Sequence, residues 1–379
     1  MSLYDIPLCK PYQTTHEIKF LKEVLDSGKL SSSGKFSQLC ESFFENYFNG
    51  SRCLMTHTCT DALEMVALLL DIQEGDEIIL PSYTFVSTAN PFVMQGATLR
   101  FADSRVDHPN VDVASIMNLI NDKTKAIVVV HYAGMAVDMD ALKAICNAKE
   151  ILLIEDAAQA FGSSNNGQKL GTIGDLACFS FHDTKPISCG EGGLLVINHP
   201  IFRKRAELLL EKGTNRLAFK KGMAISYDWQ DVGSSFGASQ LQAAVLYSQL
   251  QEMDIILERR KSIYELYENQ LAELQLKGYI RIPKIFDFCS FKSVSFFIEL
   301  PKRKHRNLLM QYLNQLGIQA GFHYLCLHKS PFYRRIEFIE LPNAMYWQEH
   351  LLRLPLYPDL NASQLLIITN AIKAYFINE

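Results

Sequence analysis

Lys185 stands at the end of the run Ser180-Phe181-His182-Asp183-Thr184-Lys185, just before the glycine-rich turn Cys189-Gly190-Glu191-Gly192-Gly193. Upstream, an apolar run ends in Glu155-Asp156-Ala157-Ala158-Gln159. A lysine amine at a strand end can bond covalently to an aldehyde. A carboxylate leaving a neighbouring strand can keep a pyridine nitrogen protonated. This is the arrangement that pyridoxal 5′-phosphate (PLP) needs, with Lys185 carrying the cofactor and Asp156 preserving the ring as a sink for carbanion electrons. Taken singly, Asp156 is equally a helix N-cap for Ala157 onward, and Lys185 a surface lysine.

The neighbouring residues extend the pattern. Thr56-His57-Thr58-Cys59-Thr60-Asp61 gives a polar entry to the apolar helix expected over Ala62–Leu70, and a helix start offers free N–H groups to a phosphate. Thr60 can add its hydroxyl. Asp61 is tolerable there only if its carboxylate turns away and its backbone binds; plain capping by Thr58 or Thr60 would look the same. Ser180 is a second phosphate donor or a buried hydroxyl. Phe85, in Pro81-Ser82-Tyr83-Thr84-Phe85-Val86-Ser87-Thr88, can stack on a flat ring or belong to the core. Gln159 can bond the cofactor's phenolic oxygen or sit on a helix surface. His131 and Tyr132 end an apolar strand, while His323, Tyr324 and His328 cluster late in the chain. These five can face a polar substrate from two sides, though each alone is equally a structural hydrogen-bonding residue. No metal-ligand motif, Ser-His-Asp order or Walker glycine pattern competes.

The elements that must position these residues follow from the apolar pattern. Strands are expected at 77–80, 98–101, 126–130, 151–154, 177–179 and 194–197. Runs such as Ala126-Ile127-Val128-Val129-Val130 do not alternate, as in a sheet covered on both faces. Helical stretches such as 138–148 supply crossovers. The result is an α/β, three-layer domain with a mostly parallel sheet, over residues 1–245. Residues 37–48 read as a helix capped by Ser37. Ser27–Lys35 is a turn-rich loop or linker. Residues 246–379 read as a smaller α+β domain: helices over 239–271, strands within 278–300, a helix at 306–316, a further strand at 319–325 and a closing helix at 362–376.

Composition narrows the classes. With 379 residues, 48% hydrophobic, the chain can bury a large core. A net charge of −4, from 37 basic and 41 acidic residues, gives no global field for nucleic acid. Nine irregularly placed cysteines suit reduced thiols. With no apolar leader in the first ten residues and no apolar run of about 18 residues, the expectation is a soluble, cytoplasmic protein without membrane or metal partners.

With these blocks in this order, the chain resembles the DegT/DnrJ/EryC1/StrS family of PLP-dependent nucleotide-sugar aminotransferases over essentially its whole length. The resemblance implies an aspartate aminotransferase-like, type I PLP fold. It implies Lys185 as cofactor-bearing lysine and general acid/base, Asp156 as pyridinium partner, Gln159 near the phenolic oxygen, Phe85 on the ring, and Thr60, Asp61 and Ser180 at the phosphate. It also implies a homodimer with shared sites, in which Gly233-Ser234-Ser235-Phe236 reaches the partner's site.

Further blocks resemble the branch that makes dTDP-4-amino-4,6-dideoxygalactose for surface polysaccharides from dTDP-4-keto-6-deoxyglucose and L-glutamate. These are Ser27–Leu30, Leu63–Ile72, Glu211-Lys212-Gly213-Thr214-Asn215-Arg216, Gly233–Ser235 and Phe322-His323-Tyr324 with His328. They imply Lys212, Asn215, His131, Tyr132, His323, Tyr324 and His328 as substrate contacts. Three positions depart from the family pattern: Asp61 for a small or neutral residue, Gln240 for an acid and Val294 for a histidine. A sugar dehydratase would carry histidine in place of Lys185. A cysteine desulfurase would need Cys326 or Cys189 on a mobile loop. A non-catalytic relative would have no reason to keep Lys185 and Asp156.

Overall fold

The computed structural model describes residues 4–290, 294–333 and 339–377. A seven-stranded sheet has the order β1-β9-β8-β5-β4-β2-β3. Its strands are β1 (Arg52–Thr56), β2 (Glu77–Pro81), β3 (Thr98–Ala102), β4 (Thr124–Val130), β5 (Leu152–Asp156), β8 (Leu176–Ser180) and β9 (Gly193–Ile197). A small ribbon joins β6 (Ser164–Asn165), β7 (Gln168–Lys169) and β10 (Cys289–Ser290), while β11 (Phe296–Glu299) pairs with β12 (Leu351–Leu354). In the large sheet β9 alone runs against its neighbours, so the expected mostly parallel sheet is present. β1 lies outside the expected set of strands.

The uninterrupted apolar runs have the anticipated cause. Ile79, Ile127, Val129 and Met55 enter one core, while Ile78, Leu80, Ala126, Val128 and Leu54 enter a second on the opposite face. Strand residues alternate faces, so a strand covered on both sides is apolar throughout. A third core gathers the helix Met253–Leu276, β11, β12 and the helix Ala362–Ile377. Ile6 belongs to this third core, and its N–H donates to the Gly317 carbonyl (3.0 Å). The start of the chain thus closes on its C-terminal part. Among the described residues no helix is long and apolar enough to cross a membrane.

Several local expectations are corrected. The second helix, α2 (Lys35–Tyr47), follows α1 (Glu17–Ser27) and is capped at Gly34; Ser37 sits three residues in and accepts the Gly34 N–H (3.1 Å). Residues 319–325 form no strand and make only a bridge between Gly321 and Arg353. Of the strands expected within 278–300, only β10 and β11 form, and residues 291–293 lie outside the described residues. After Asp156 the chain turns rather than entering a helix, which removes the N-cap reading of that acid.

β5 ends in two buried acids on opposite faces. Glu155, fully buried, accepts from the N–H groups of Gly171 (2.7 Å), Ile173 (2.8 Å) and Gly174 (2.6 Å) and from His131 Nε2 (3.1 Å). Burial pushes its carboxyl up, but the His131 and amide hydrogen bonds outweigh this and hold it below its ordinary value. Glu155→Ala would leave those donors unpaired in the interior. We expect a loss of about 3 kcal/mol in urea unfolding at neutral pH. Because the folded-state pKa is depressed, this contribution should be present at neutral pH and fade as pH falls below the ordinary carboxylate range through the folded value.

Candidate active site

The C-terminal ends of β1, β2, β4, β5 and β8 point to one edge of the sheet, where ligands collect in such folds. A cavity of about 390 Å³ opens there. Its wall includes Thr58, Thr60, Phe85, Ser87, Thr88, Asp156, Gln159, Ser180, Lys185, His323 and Tyr324, so residues far apart in sequence meet in one space.

Asp156, 4% exposed, accepts from the Thr88 hydroxyl at Oδ2 (2.7 Å) and from the Ala158 N–H at Oδ1 (3.2 Å). Thr88 is tied in turn to Thr84 (2.7 Å). Burial pushes the Asp156 carboxyl above its ordinary value, against the pull of Thr88, Ala158 and Lys185. A cationic ring N–H donated to it would favour the ionised form. Burial, aided by the Arg353 charge, lowers the Lys185 amine, while Cys59 and Asp156 oppose that shift. A lysine lowered by burial releases its proton more readily, as a lysine that must react as a free amine requires.

Another part of the cavity wall suits an anion. The helix α3 (Cys59–Leu69) begins there, capped by Thr58, whose hydroxyl accepts the Asp61 N–H (3.0 Å). The first amides of an α-helix, here Cys59 and Thr60, have no intrahelical acceptor. The Thr60 hydroxyl bonds Ser87 Oγ (2.9 Å), and Ser180 Oγ accepts the His182 N–H (3.4 Å). Phe85 is 57% exposed and stands at the cavity rim. Gln159 accepts the Ala133 N–H (2.8 Å) and donates to the Tyr324 hydroxyl (2.5 Å), which fixes its amide at the wall. A buried acid, a lysine, a phosphate-sized cup of amides and hydroxyls, and an aromatic face together fit PLP.

Other expected contacts lie elsewhere. Asp61 does not line the cavity: its N–H is taken by Thr58, and its carboxylate accepts the Thr58 N–H (2.9 Å), so both halves serve the helix cap. His131 is fully buried between Glu155 and the Val137 N–H (3.2 Å). Tyr132, 1% exposed, packs against Tyr83 and Tyr324, and so supports the cavity wall from behind. His328, also 1% exposed, is bound to Ser82 Oγ (2.6 Å). These three are structural within the chain. Lys212 and Asn215 do not line Lys185's cavity: Lys212 lies beside Glu211 (3.8 Å), and Asn215 accepts the Asp228 N–H (2.8 Å). Ser234 is exposed outside the same cavity.

Sequence reasoning missed Thr58, Ser87 and Thr88 as site residues. Ser87 and Thr88 stood in the hydroxyl-rich run after β2, which was signal enough to find them. Arg353, bonded to His323 (2.5 Å), gave no signal.

A cofactor-sized cleft at the strand ends, with a lysine and a buried acid in its wall, fits a PLP-dependent enzyme of the type I fold. The model of the DegT/DnrJ/EryC1/StrS aminotransferase family matches residues 11–373, and the chain belongs to that family. It is similar to a GDP-perosamine synthase of Vibrio cholerae, 32% identical over 98% of this chain and 99% of that one. It also resembles Helicobacter pylori PseC, an aminotransferase of pseudoaminic acid biosynthesis (TM-score 0.91, 25% identity, 99% and 100% coverage). A third similar structure is a Streptococcus pneumoniae protein described as a sugar aminotransferase, solved in its PLP form (TM-score 0.90, 25% identity, 98% of each chain). The chain is a PLP-dependent sugar aminotransferase.

The cup is closed from below by Gly193, the first residue of β9, where an added Cβ would overlap the Thr58 carbonyl and the Cys59 nitrogen. Gly193→Ala must therefore displace the start of α3. We expect at least a 10-fold weaker hold on PLP, measured by fluorescence titration of the apoenzyme, against little change in Gly321→Ala, whose Cβ meets only Leu8 at 3.9 Å.

Proposed function

We propose that the chain transfers the amino group of L-glutamate to carbon 4 of dTDP-4-keto-6-deoxyglucose, giving dTDP-4-amino-4,6-dideoxygalactose for surface polysaccharide synthesis in the cytoplasm. The observation that carries the chemistry is Lys185 sharing a cavity wall with buried Asp156. Bound PLP would supply an electron sink for the carbon that loses its proton. Lys185 would hold the cofactor covalently and, once displaced from it by the donor's amine, would take the proton from the donor's α-carbon and return one to a single face of sugar carbon 4. Asp156, oriented by Thr88, holds a proton on the ring nitrogen. Thr60 and Ser180 secure the phosphate, Phe85 covers the ring, and Gln159 sits at the phenolic oxygen. His323 and Tyr324 border the substrate space.

The blocks Glu211–Arg216, Gly233–Ser235 and Phe322–Tyr324 support the dTDP-sugar reading through their resemblance to that branch. Buried Glu211 ties two of its loops together, accepting from the Ser33 hydroxyl (2.7 Å) and pairing with Arg216 (3.2 Å). The arm beyond it exposes Met223, Ile225, Trp229 and Val232. Apolar surface of this kind is suited to cover by another chain. In a homodimer this arm would carry Lys212, Asn215 and Ser234 to the partner's cavity. A GDP-linked ketosugar is the second reading, favoured by the likeness to the Vibrio cholerae enzyme.

Two experiments test this. Lys185→Ala should abolish turnover while leaving the circular dichroism spectrum unchanged, and borohydride reduction should fix PLP to the Lys185 peptide in the wild type only. Ordinary transamination by the variant would remove Lys185 from its role. Incubation with L-glutamate and either dTDP-4-keto-6-deoxyglucose or a GDP-4-keto-6-deoxyhexose should aminate the dTDP sugar, with small proton couplings at carbon 4 for an axial amine. Large couplings would indicate the glucose epimer, and amination of the GDP sugar alone, or of a 3-keto sugar, would overturn the proposal.

A further inference from the structure

Arg353, on β12, lies directly behind the wall residue His323 and is only partly exposed. One of its terminal nitrogens donates to His323 Nε2 (2.5 Å) and the other to Ser295 Oγ (3.2 Å), while its Nε is buried without a partner. Among the described residues no carboxylate pairs with it. Two other partly buried arginines are answered by acids: Arg52 by Glu41, Glu45 and Glu207, and Arg205 by Asp231. A guanidinium keeps its charge at any working pH, and its partial burial without a counter-ion is costly. The charge of Arg353 is felt at Lys185 and at Cys9. Arg260, 3% exposed and donating to the Val294 carbonyl (2.7 Å), adds positive charge to the same quarter.

The nearby acids are committed elsewhere. Asp156 is turned to Thr88 and Ala158, and Asp183 to His182 (2.9 Å). Burial first, then the charges of Arg353 and Lys185, hold His323 neutral, its pKa pushed down to about 2. Neutral His323 can therefore accept from Arg353 without adding a competing cation. Among the described residues, the quarter of the cavity next to Lys185 holds more cationic groups than uncommitted acids, which favours an incoming anion.

We propose that Arg353, braced by His323 and Ser295, binds a carboxylate of the α-amino acid that donates the amino group. This rests on the proposed use of L-glutamate. A planar carboxylate matches the guanidinium fork, and the donor is the substrate whose acid group must lie within a few bonds of the atom that Lys185 deprotonates. The cofactor phosphate is provided for separately, by the start of α3 and Ser180.

The test separates the two halves of the reaction in the PLP-loaded enzyme. In stopped-flow mixing with L-glutamate alone, loss of the visible cofactor band gives the half-saturating glutamate concentration. Arg353→Gln should raise that concentration about 10- to 100-fold, and Arg353→Lys should recover part of the loss. The reverse half, pyridoxamine phosphate enzyme with ketosugar, should change less than about threefold. Calorimetric binding of glutarate, a dicarboxylate that cannot react, should weaken in parallel. Equal loss in both halves would place Arg353 at the sugar or its diphosphate and overturn the inference, as would unchanged glutamate and glutarate affinity. If the wild-type band does not respond to L-glutamate, the donor reading fails and this inference falls with it. If it responds equally in wild type and Arg353→Gln, only this inference falls.

Discussion

Two carboxylates side by side at the end of β5 impose the central constraint on this molecule. Strand geometry sends Glu155 and Asp156 to opposite faces of the sheet, and both are buried. Two charges in the interior are tolerable only if each is fully answered. Glu155 is answered by His131 and three backbone amides, which fixes the 171–174 turn and the residues after β4. Asp156 is left with only Thr88 and the Ala158 amide, and so keeps capacity for a cationic partner. The fold spends its donors on one acid and reserves the other for chemistry.

The helix start of α3 presents amides and hydroxyls, which suits a phosphate. Lys185, His323 and Arg353 lie close together, with His323 kept neutral by its surroundings. The lowered Lys185 pKa has burial as its first cause and Arg353 as a contributor. An arginine behind the wall thus contributes to lowering Lys185 even before any substrate arrives. The N-terminal segment, tied to the third core through Ile6 and Leu8, brings Cys9 into this quarter and couples the start of the chain to the site.

Much of the frame and the centre of the site were legible in the sequence. Six strands, the mostly parallel sheet, the cap at Thr58 and the pairing of Lys185 with Asp156 rest on local signals: apolar runs, capping residues, and polar residues at strand ends. β1 escaped because its run, Arg52–Thr56, begins with a charge and ends with a hydroxyl, leaving few apolar residues to mark it. The strand expected at 319–325 failed because an alternating pattern needs a partner strand in register, and only Gly321 finds one.

The sequence by itself determined which residues have the chemistry for a PLP site and which strands end in them, because side-chain type and strand period are local properties. Only the tertiary structure decided which polar residues face the cavity. His131 and His328 look like substrate ligands in the sequence, yet they are consumed by Glu155 and Ser82. Asp61 looks like part of the phosphate cup, yet it closes its own helix cap. Thr88 and Arg353 acquire their importance from partners 68 and 30 residues away. A buried polar group goes where its hydrogen bonds are satisfied, and those partners come from strands that meet only when the sheet and the β11–β12 pair are assembled.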